Sequence, residues 1–277
     1  MRRIVVTGAT GLIGPYFVDA AAGCGTVTGV SRHSTTPVDL TDAASVRAAL
    51  TALKPDLVIH AAAMTDVDAC ERQPDVADAS NRGAVANLVA AIPGGSDLVY
   101  ISTDQVYPDS AGLHREDGAR PVNTYGRSKL AGEIAALAAG ALVVRTNGFG
   151  PSRTAGRTSL SDFVVQNLSS GRPTQLFRDI FFSPLHFRTL AGLTLQLWQE
   201  GTRGVVNLGC REGMSKRDFA LAVARHLGLP TASARDADGA VARGRAPRPR
   251  DMRMDVRVAE AALGRPMPTL LEEIARL

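Results

Sequence analysis

The first half of the chain alternates short apolar runs with longer alanine-rich stretches. Residues 3–7, 26–30, 57–61, 98–102 and 142–145 are mostly apolar and rich in β-branched side chains, the pattern of strands buried on both faces. The intervening 13–23, 43–53, 77–91 and 125–139 are alanine-rich and read as helices. Strand after helix after strand predicts an α/β fold, a Rossmann-like doubly wound parallel sheet with helices on both faces. After residue 147 the alternation loosens. Residues 150–159 are polar and include Gly150 and Gly156, which reads as a loop, either a flap over a ligand or a plain linker. Beyond it, 205–208 reads as a strand, 216–227 as a helix started by Ser215, and 270–277 as a closing helix.

At 277 residues, with 45% hydrophobic and 21% charged residues, the chain can form one large α/β unit with a small appended region and has no compositional reason for disorder. Only Ile4 to Val6 form an apolar run before Thr7-Gly8, too short for a secretory signal, and no run approaches the roughly 20 residues of a membrane span. Cys24, Cys70 and Cys210 are isolated, which speaks against a disulfide framework or a zinc site. A protein of the reducing cytoplasm, without a metal, is expected.

The motif Gly8-Ala-Thr-Gly11-Leu-Ile-Gly14 follows the first strand and opens the first helix. Glycines there allow a tight turn, a close approach of backbone to a pyrophosphate and close helix–strand packing, with the phosphates at the positive helix N-terminus. The spacing is one residue longer than the plain Rossmann fingerprint. Gly8, Thr10, Gly11, Leu12, Ile13 and Gly14 are therefore the candidate cofactor cradle, and Pro15 is tolerated in a first helical turn. The second strand ends in Ser31-Arg32-His33, where an NAD-binding protein usually carries an acid for the ribose 2′-hydroxyl. An arginine fits a 2′-phosphate instead, so NADPH is expected in preference to NADH. Asp39, beside Leu40, is placed to accept the adenine amino group; its other reading is a helix cap, a task Thr41 or Asp42 does better.

Tyr125 and Lys129 lie four residues apart, hence on one face of a helix. A phenol that donates a proton near neutral pH needs a nearby cation to favour its phenolate, and Lys129 can supply that charge. Such a pair is common by chance on surface helices. Ser102-Thr103-Asp104 at the end of a predicted strand changes the picture, because the ends of parallel strands open into a ligand crevice. There the Thr103 hydroxyl can hold a substrate carbonyl beside the phenol.

These segments resemble the extended short-chain dehydrogenases/reductases and, within them, the dTDP-4-dehydrorhamnose reductase family. The resemblance is carried by 6–14, 60–71, 101–107, 125–133 and 144–146, with a weaker echo in 179–191 and Arg248-Pro249. It implies hydride transfer from NADPH to the C4 ketone of a nucleotide-linked sugar, a dTDP-4-keto-6-deoxyhexose. Tyr125 would give the proton, Lys129 would hold the nicotinamide ribose and tune Tyr125, and Thr103 would bond the substrate oxygen. It also implies that Ala61, Ala62 and Ala63 lie along the cofactor and that Thr65, Val67, Asp104 and Gln105 approach the sugar. Asn81 either steadies the site or is a polar residue on a helix surface. The chain departs from the family at Gln105, where tyrosine is common, at Gly148, where an aromatic residue stacks on the sugar, and over 179–184. On this reading 1–147 is an NADP-binding Rossmann domain, joined by a later strand near 204–209, and 148–277 is mainly a substrate-binding region. Two alternatives remain: a non-catalytic NADP-binding regulatory subunit similar to that of methionine adenosyltransferase, and a nucleotide-sugar epimerase or dehydratase. Arg32 argues against the latter, which would hold NAD.

The net charge is only +4, but 235–257 holds seven arginines. Such a cluster is either a solvated face or a wall for an anionic ligand. Arg248 is the candidate to receive the diphosphate of a nucleotide-sugar. No aromatic residue interleaves with these arginines, so neither nucleic acid nor a membrane is expected as partner. A homodimer stays open.

Overall fold

The computed structural model describes residues 1–239 and 245–277. The alternation of the first half folds as expected. Strands β1 (Arg2–Thr7), β2 (Gly25–Ser31), β3 (Thr36–Pro37), β4 (Leu57–His60), β5 (Asp97–Ile101) and β6 (Leu142–Thr146), together with the later strand Gly204–Leu208, form a seven-stranded parallel sheet. The order across it is 204–208, β6, β5, β4, β1, β2, β3. Because β1 pairs with both β2 and β4, the chain changes direction of winding there, and a crevice opens at the C-terminal ends of these strands.

Side chains of each strand alternate between two cores. Ile4, Val6, Leu57, Ile59, Val99, Ile101, Leu142 and Val144 bury one face of the sheet. That face is covered by α1 (Gly14–Ala22) through Phe17 and by the later helix Phe187–Gln199 through Leu190 and Leu197. Val5, Val58, Leu98, Tyr100 and Val143 bury the opposite face against α2 (Ala43–Leu53) and later helices of this half. After the short α3 (Val67–Arg72), the segment expected as one helix from 77 to 91 is built of pieces: the end of α4 (Pro74–Asp78), a π-helical turn Ala79–Gly83, and α5 (Ala84–Ala91). Next comes α6 (Thr124–Ala138), whose start is capped by the Asn123 side chain, Oδ1 accepting from Gly126 N.

The second half holds more helix than its loosened pattern suggested. α7 (Leu160–Ser169) begins with a Ser159/Asp162 capping box, and α8 (Phe187–Gln199) is the helix named above. α9 (Lys216–Leu227) starts at the Ser215 cap, and α10 (Arg257–Leu263) and α11 (Leu270–Ile274) close the chain. The polar stretch 150–159 is a loop, and it lies on the first helix. The Tyr16 hydroxyl donates to Pro151 O at 2.7 Å, Thr154 Oγ1 donates to Gly11 O at 3.0 Å, and Arg153 pairs with Asp19. Segment 245–256 returns to the sheet's C-terminal edge, with Arg253 O accepting from His114 N and Phe181 pairing with Asp251. No helix among the described residues is long and apolar enough to cross a membrane.

Candidate active site

The glycine loop is shaped by three close approaches. Gly8 has φ +70, and a Cβ on it would stand 2.8 Å from the Ala62 backbone. Gly11 N donates to Gly8 O at 2.8 Å, closing the turn. A Cβ on Gly14 would stand 2.1 Å from Gly8 O, so only glycine lets α1 start there. α1 begins without a side-chain cap and with Pro15 in its first turn, which leaves its positive end open to an anion. Thr10, Gly11, Leu12 and Ile13 are half-buried around this cradle. The donor geometry, the missing Cβ atoms and the uncapped helix fit a dinucleotide pyrophosphate.

At the end of β2, Thr10 Oγ1 donates to Ser31 Oγ at 2.9 Å, tying the glycine loop to the β2 turn. Arg32 is exposed, and among the described residues it has no ion-pair partner. Asp39 takes the turn rather than the helix: its Oδ1 accepts from Thr41 N and Oγ1, while Asp42 caps α2 through Ala44 N. The Thr41 bonds hold the Asp39 carboxyl below the usual carboxylate range. Leu40 is half-buried beside it, and its carbonyl accepts from Asn87 Nδ2.

Thr103, Tyr125 and Lys129 converge at the C-terminal end of β5, all buried. Burial pushes the Tyr125 phenol well above its ordinary pKa, and the Thr103 hydroxyl beside it works the other way. Lys129 Nζ donates to Ile101 O at 2.7 Å and lies over the Tyr100 ring. Burial lowers the Lys129 ammonium to about 7, with Glu133 opposing. Burial thus moves Tyr125 away from neutrality, opposite to the direction expected from Lys129, and leaves it in the protonated form that an acid needs.

Asn81 is fully buried in the π-helical turn, and is no surface residue. Its Oδ1 accepts from Met64 N at 2.8 Å, and its Nδ2 donates to Met64 O and to Ser128 Oγ. It therefore fastens the loop after β4 to the helix that carries Tyr125. That loop holds half-buried Ala61 and Ala62 against the glycine loop; half-buried Ala63 and exposed Thr65 follow, and half-buried Val67 starts α3.

Behind the site lies a buried ionic network that sequence reasoning missed. Arg145 of β6 pairs with Glu133 of α6 at 2.6 Å, both almost wholly buried, and the Ser102 hydroxyl donates to the same carboxylate. Arg145 Nη1 also donates to Tyr107 Oη and Glu116 O. Glu133 falls within the quoted motif 125–133, but nothing in the local pattern pointed to Arg145 as its partner.

The substrate side brings surprises. Asp104 is fully buried, accepts from Asn147 Nδ2 at 2.7 Å, and burial raises its carboxyl to about 6. Half-buried Lys216, the first residue of α9, contributes positive charge to it. Lys216 was read only as a helix start. Gln105 does not reach freely into the cleft: its Oε1 accepts from Asn123 Nδ2 at 3.0 Å and its Nε2 lies 2.7 Å from Met252 Sδ. Arg248, the candidate to receive a diphosphate, is paired within the chain. Both its Nη atoms donate to Asp68 at 3.0 Å, and Asp68 also accepts from Ala246 N. Arg250 and Arg253 pair with Asp109 and Asp251. Arg245 is exposed without an ion pair among the described residues, and Arg243 lies outside them. Where an aromatic residue was missed at Gly148, the Phe187 ring fills the space, 2.9 Å from where a Cβ would stand. The divergent 179–184 stretch is structural: Asp179 accepts from Gly239 N, Phe182 is core, and Ser183 Oγ accepts from Met254 N.

The RmlD substrate binding domain family model matches residues 1–277. A probable low-salt glycan biosynthesis reductase of Haloferax volcanii is 32% identical over 98% of this chain and 96% of its own length. Methionine adenosyltransferase 2 subunit beta of Xenopus laevis is 31% identical over 84% of this chain and 75% of its own. The crystal structure of a hypothetical dTDP-4-dehydrorhamnose reductase from Sulfolobus tokodaii superposes with a TM-score of 0.87, at 31% identity and 98% coverage of both chains.

Proposed function

This chain belongs to the RmlD substrate binding domain family, and from that premise we propose that it is an NADPH-dependent reductase of a nucleotide-linked keto-sugar, a dTDP-4-keto-6-deoxyhexose. The observation that carries the reading is the meeting of Thr103, Tyr125 and Lys129 beside the glycine cradle. NADPH bound there supplies the hydride that reduces the carbonyl carbon. The chain's own groups do the rest. The Thr103 hydroxyl orients the carbonyl, and the Tyr125 phenol gives its proton to the carbonyl oxygen, worth about 10²- to 10⁴-fold in rate for a positioned acid. The Lys129 ammonium favours the phenolate that remains, which water reprotonates. Arg32, exposed at the end of β2, is the group for a 2′-phosphate.

With Arg248 paired to Asp68, Lys216 and Arg245 stand beside it among the described residues as further cations for the substrate diphosphate. The division at 147 separates the cofactor half from the mainly substrate-binding half. The direct test is NADPH oxidation by the purified protein with a panel of nucleotide-linked 4-keto-6-deoxyhexoses. Oxidation with one or more supports the reading, and none with any overturns it.

A second reading is favoured by the likeness to methionine adenosyltransferase 2 subunit beta: a non-catalytic NADP-binding subunit. It predicts copurification with a larger partner and no ketone-dependent oxidation. The retained Thr103, Tyr125 and Lys129 favour the enzyme.

A further inference from the structure

Lys129 is only 2% exposed, yet among the described residues the hydrogen-bond acceptor its ammonium reaches is a single carbonyl, Ile101 O at 2.7 Å. An ammonium carries three N–H donors, and burying its charge with so little compensation is costly. Glu133 favours the charged form from one turn along α6, but its oxygens are taken by Arg145 and Ser102. What stands against the rest of the ammonium is the face of Tyr100. Nζ lies 4.0 Å from the ring centroid, well inside the roughly 6 Å range over which the ring's negative face attracts a cation.

That ring is held on every side. Its hydroxyl lies 3.4 Å from the carbonyls of Asn81 and Lys129. Gly132 makes room for it, since a Cβ there would stand 2.6 Å from the phenol oxygen. His60 stacks on the ring at 5.5 Å and 16°, and is itself fixed through Nδ1, 2.7 Å from Thr7 Oγ1. Burial and the Lys129 charge push the His60 imidazole down to about 3, so it adds no competing positive charge.

We propose that Tyr100 is a positioning residue for Lys129: its ring face holds the ammonium charged and fixed at the end of β5, so that a ready cation meets the cofactor when it binds. The proposal rests on the reading of Lys129 as the cation of the reductase site. It has consequences near neutrality because Lys129 titrates at about 7, where a modest change in its surroundings decides its charge. The groups facing it are Glu133 and Tyr125 of α6, Tyr100 and the Ile101 carbonyl of β5, and His60 of β4. Glu133 is locked in its pair with Arg145 and His60 stays neutral, and Asp104, raised to about 6 on the Tyr125 side, is told apart from Lys129 by the lysine signal itself.

The chain contains three lysines, Lys54, Lys129 and Lys216, so a protein grown on ¹³C-lysine gives a simple spectrum in which Lys129→Met assigns the Lys129 signal. Its titration is followed in the cofactor-free protein, a readout independent of turnover. Tyr100→Phe keeps the ring and should leave the midpoint near that of the unmodified protein. Tyr100→Leu should lower it by about one pH unit, and the Kd for NADPH at pH 7.5 should then rise about eightfold, as the charged fraction falls. Should Tyr100→Leu fail to fold, phenylalanines bearing one to several fluorines at position 100 keep the shape while weakening the ring face, and the midpoint should step down with each fluorine. A midpoint indifferent to fluorination or to Tyr100→Leu overturns the proposal. So does a Tyr100→Phe midpoint that falls as far as that of Tyr100→Leu, since the hydroxyl would then be responsible. A ring-dependent midpoint in a protein that fails to oxidise NADPH with every ketone of the panel supports this proposal while overturning the reductase reading.

Discussion

On the cofactor side of the cleft, each shaping group stands within a few residues of a strand end: Gly8 to Gly14 after β1, Ser31 and Arg32 at β2, Ala61 to Ala63 after β4, Thr103 after β5. On the substrate side, the contacts join residues far apart in the chain. Asp68 meets Arg248, Asn123 meets Pro247, and Gln105 meets Met252, across 180, 124 and 147 positions. The first wall takes its geometry from the sheet, whose ladder fixes every strand end at once. The second is assembled from individual polar side chains on loops and helix starts. A change on the first wall should therefore damage chemistry, while a change on the second should adjust which substrate fits.

The sharpest way to break this contrast is at Tyr125. Tyr125→Phe keeps a buried ring but removes the proton, and turnover should fall by about 10² to 10⁴ with the Kd for NADPH nearly unchanged. Near-normal turnover would move the acid elsewhere and dissolve the distinction between the walls.

A different kind of break is expected at the network beneath both walls. Arg145→Met leaves Glu133 as an unpaired buried carboxylate, which should cost about 3 to 5 kcal/mol of stability, read by urea unfolding at pH 7. Glu133→Gln together with Arg145→Met should recover part of that loss. If the single variant were as stable as the parent, the pair would not be what anchors Ser102 under Thr103.

The next effect is on cofactor choice. Arg32→Asp should weaken or reverse the preference for NADPH over NADH, by about 10- to 100-fold in the kcat/KM ratio, the worth of a charged hydrogen bond. Equal kcat/KM for the two cofactors in the unmodified protein would sink the assignment of Arg32.

What the sequence revealed follows the same division. The sheet, the glycine loop and the Thr103, Tyr125, Lys129 set were legible because each is written in contiguous residues with a short period or spacing. Arg248 pointed to an anion wall on charge alone, but its partner Asp68 lies on another element, and no local pattern marks such a pair. Lys216 was hidden by its position as the first residue of a well-capped helix. α8 went unread although Leu190, Leu193, Leu197 and Trp198 repeat at helical spacing; the Gly- and Pro-containing stretches before it had broken the alternation that carried the first half. Asn81 was ambiguous because a buried clamp and a surface amide look alike until the π-helical turn places it.

The smallest effect tests the substrate wall itself. Asp68 is held down to about 2, first by the Arg248 guanidinium and then by Ala246 N, against roughly 4 for a free aspartate. A depressed carboxylate contributes stability that is present above the unfolded value and is lost as the pH falls through the folded one. The advantage of the parent over Asp68→Asn should therefore be full above about pH 4 and close as the pH falls toward 2. The pair is about a quarter exposed, so solvent screening limits that advantage to about 1 kcal/mol, and added salt should shrink it. In turnover, Asp68→Ala and Arg248→Ala should each raise KM for the nucleotide-sugar and leave the Kd for NADPH alone. If Arg248 serves only to clasp the 245–248 segment to α3, the double variant should be no worse than either single one. If Arg248 instead leaves Asp68 to bind the substrate diphosphate, Arg248→Ala should raise KM well beyond Asp68→Ala, and the wall would be a moving contact instead of a fixed one.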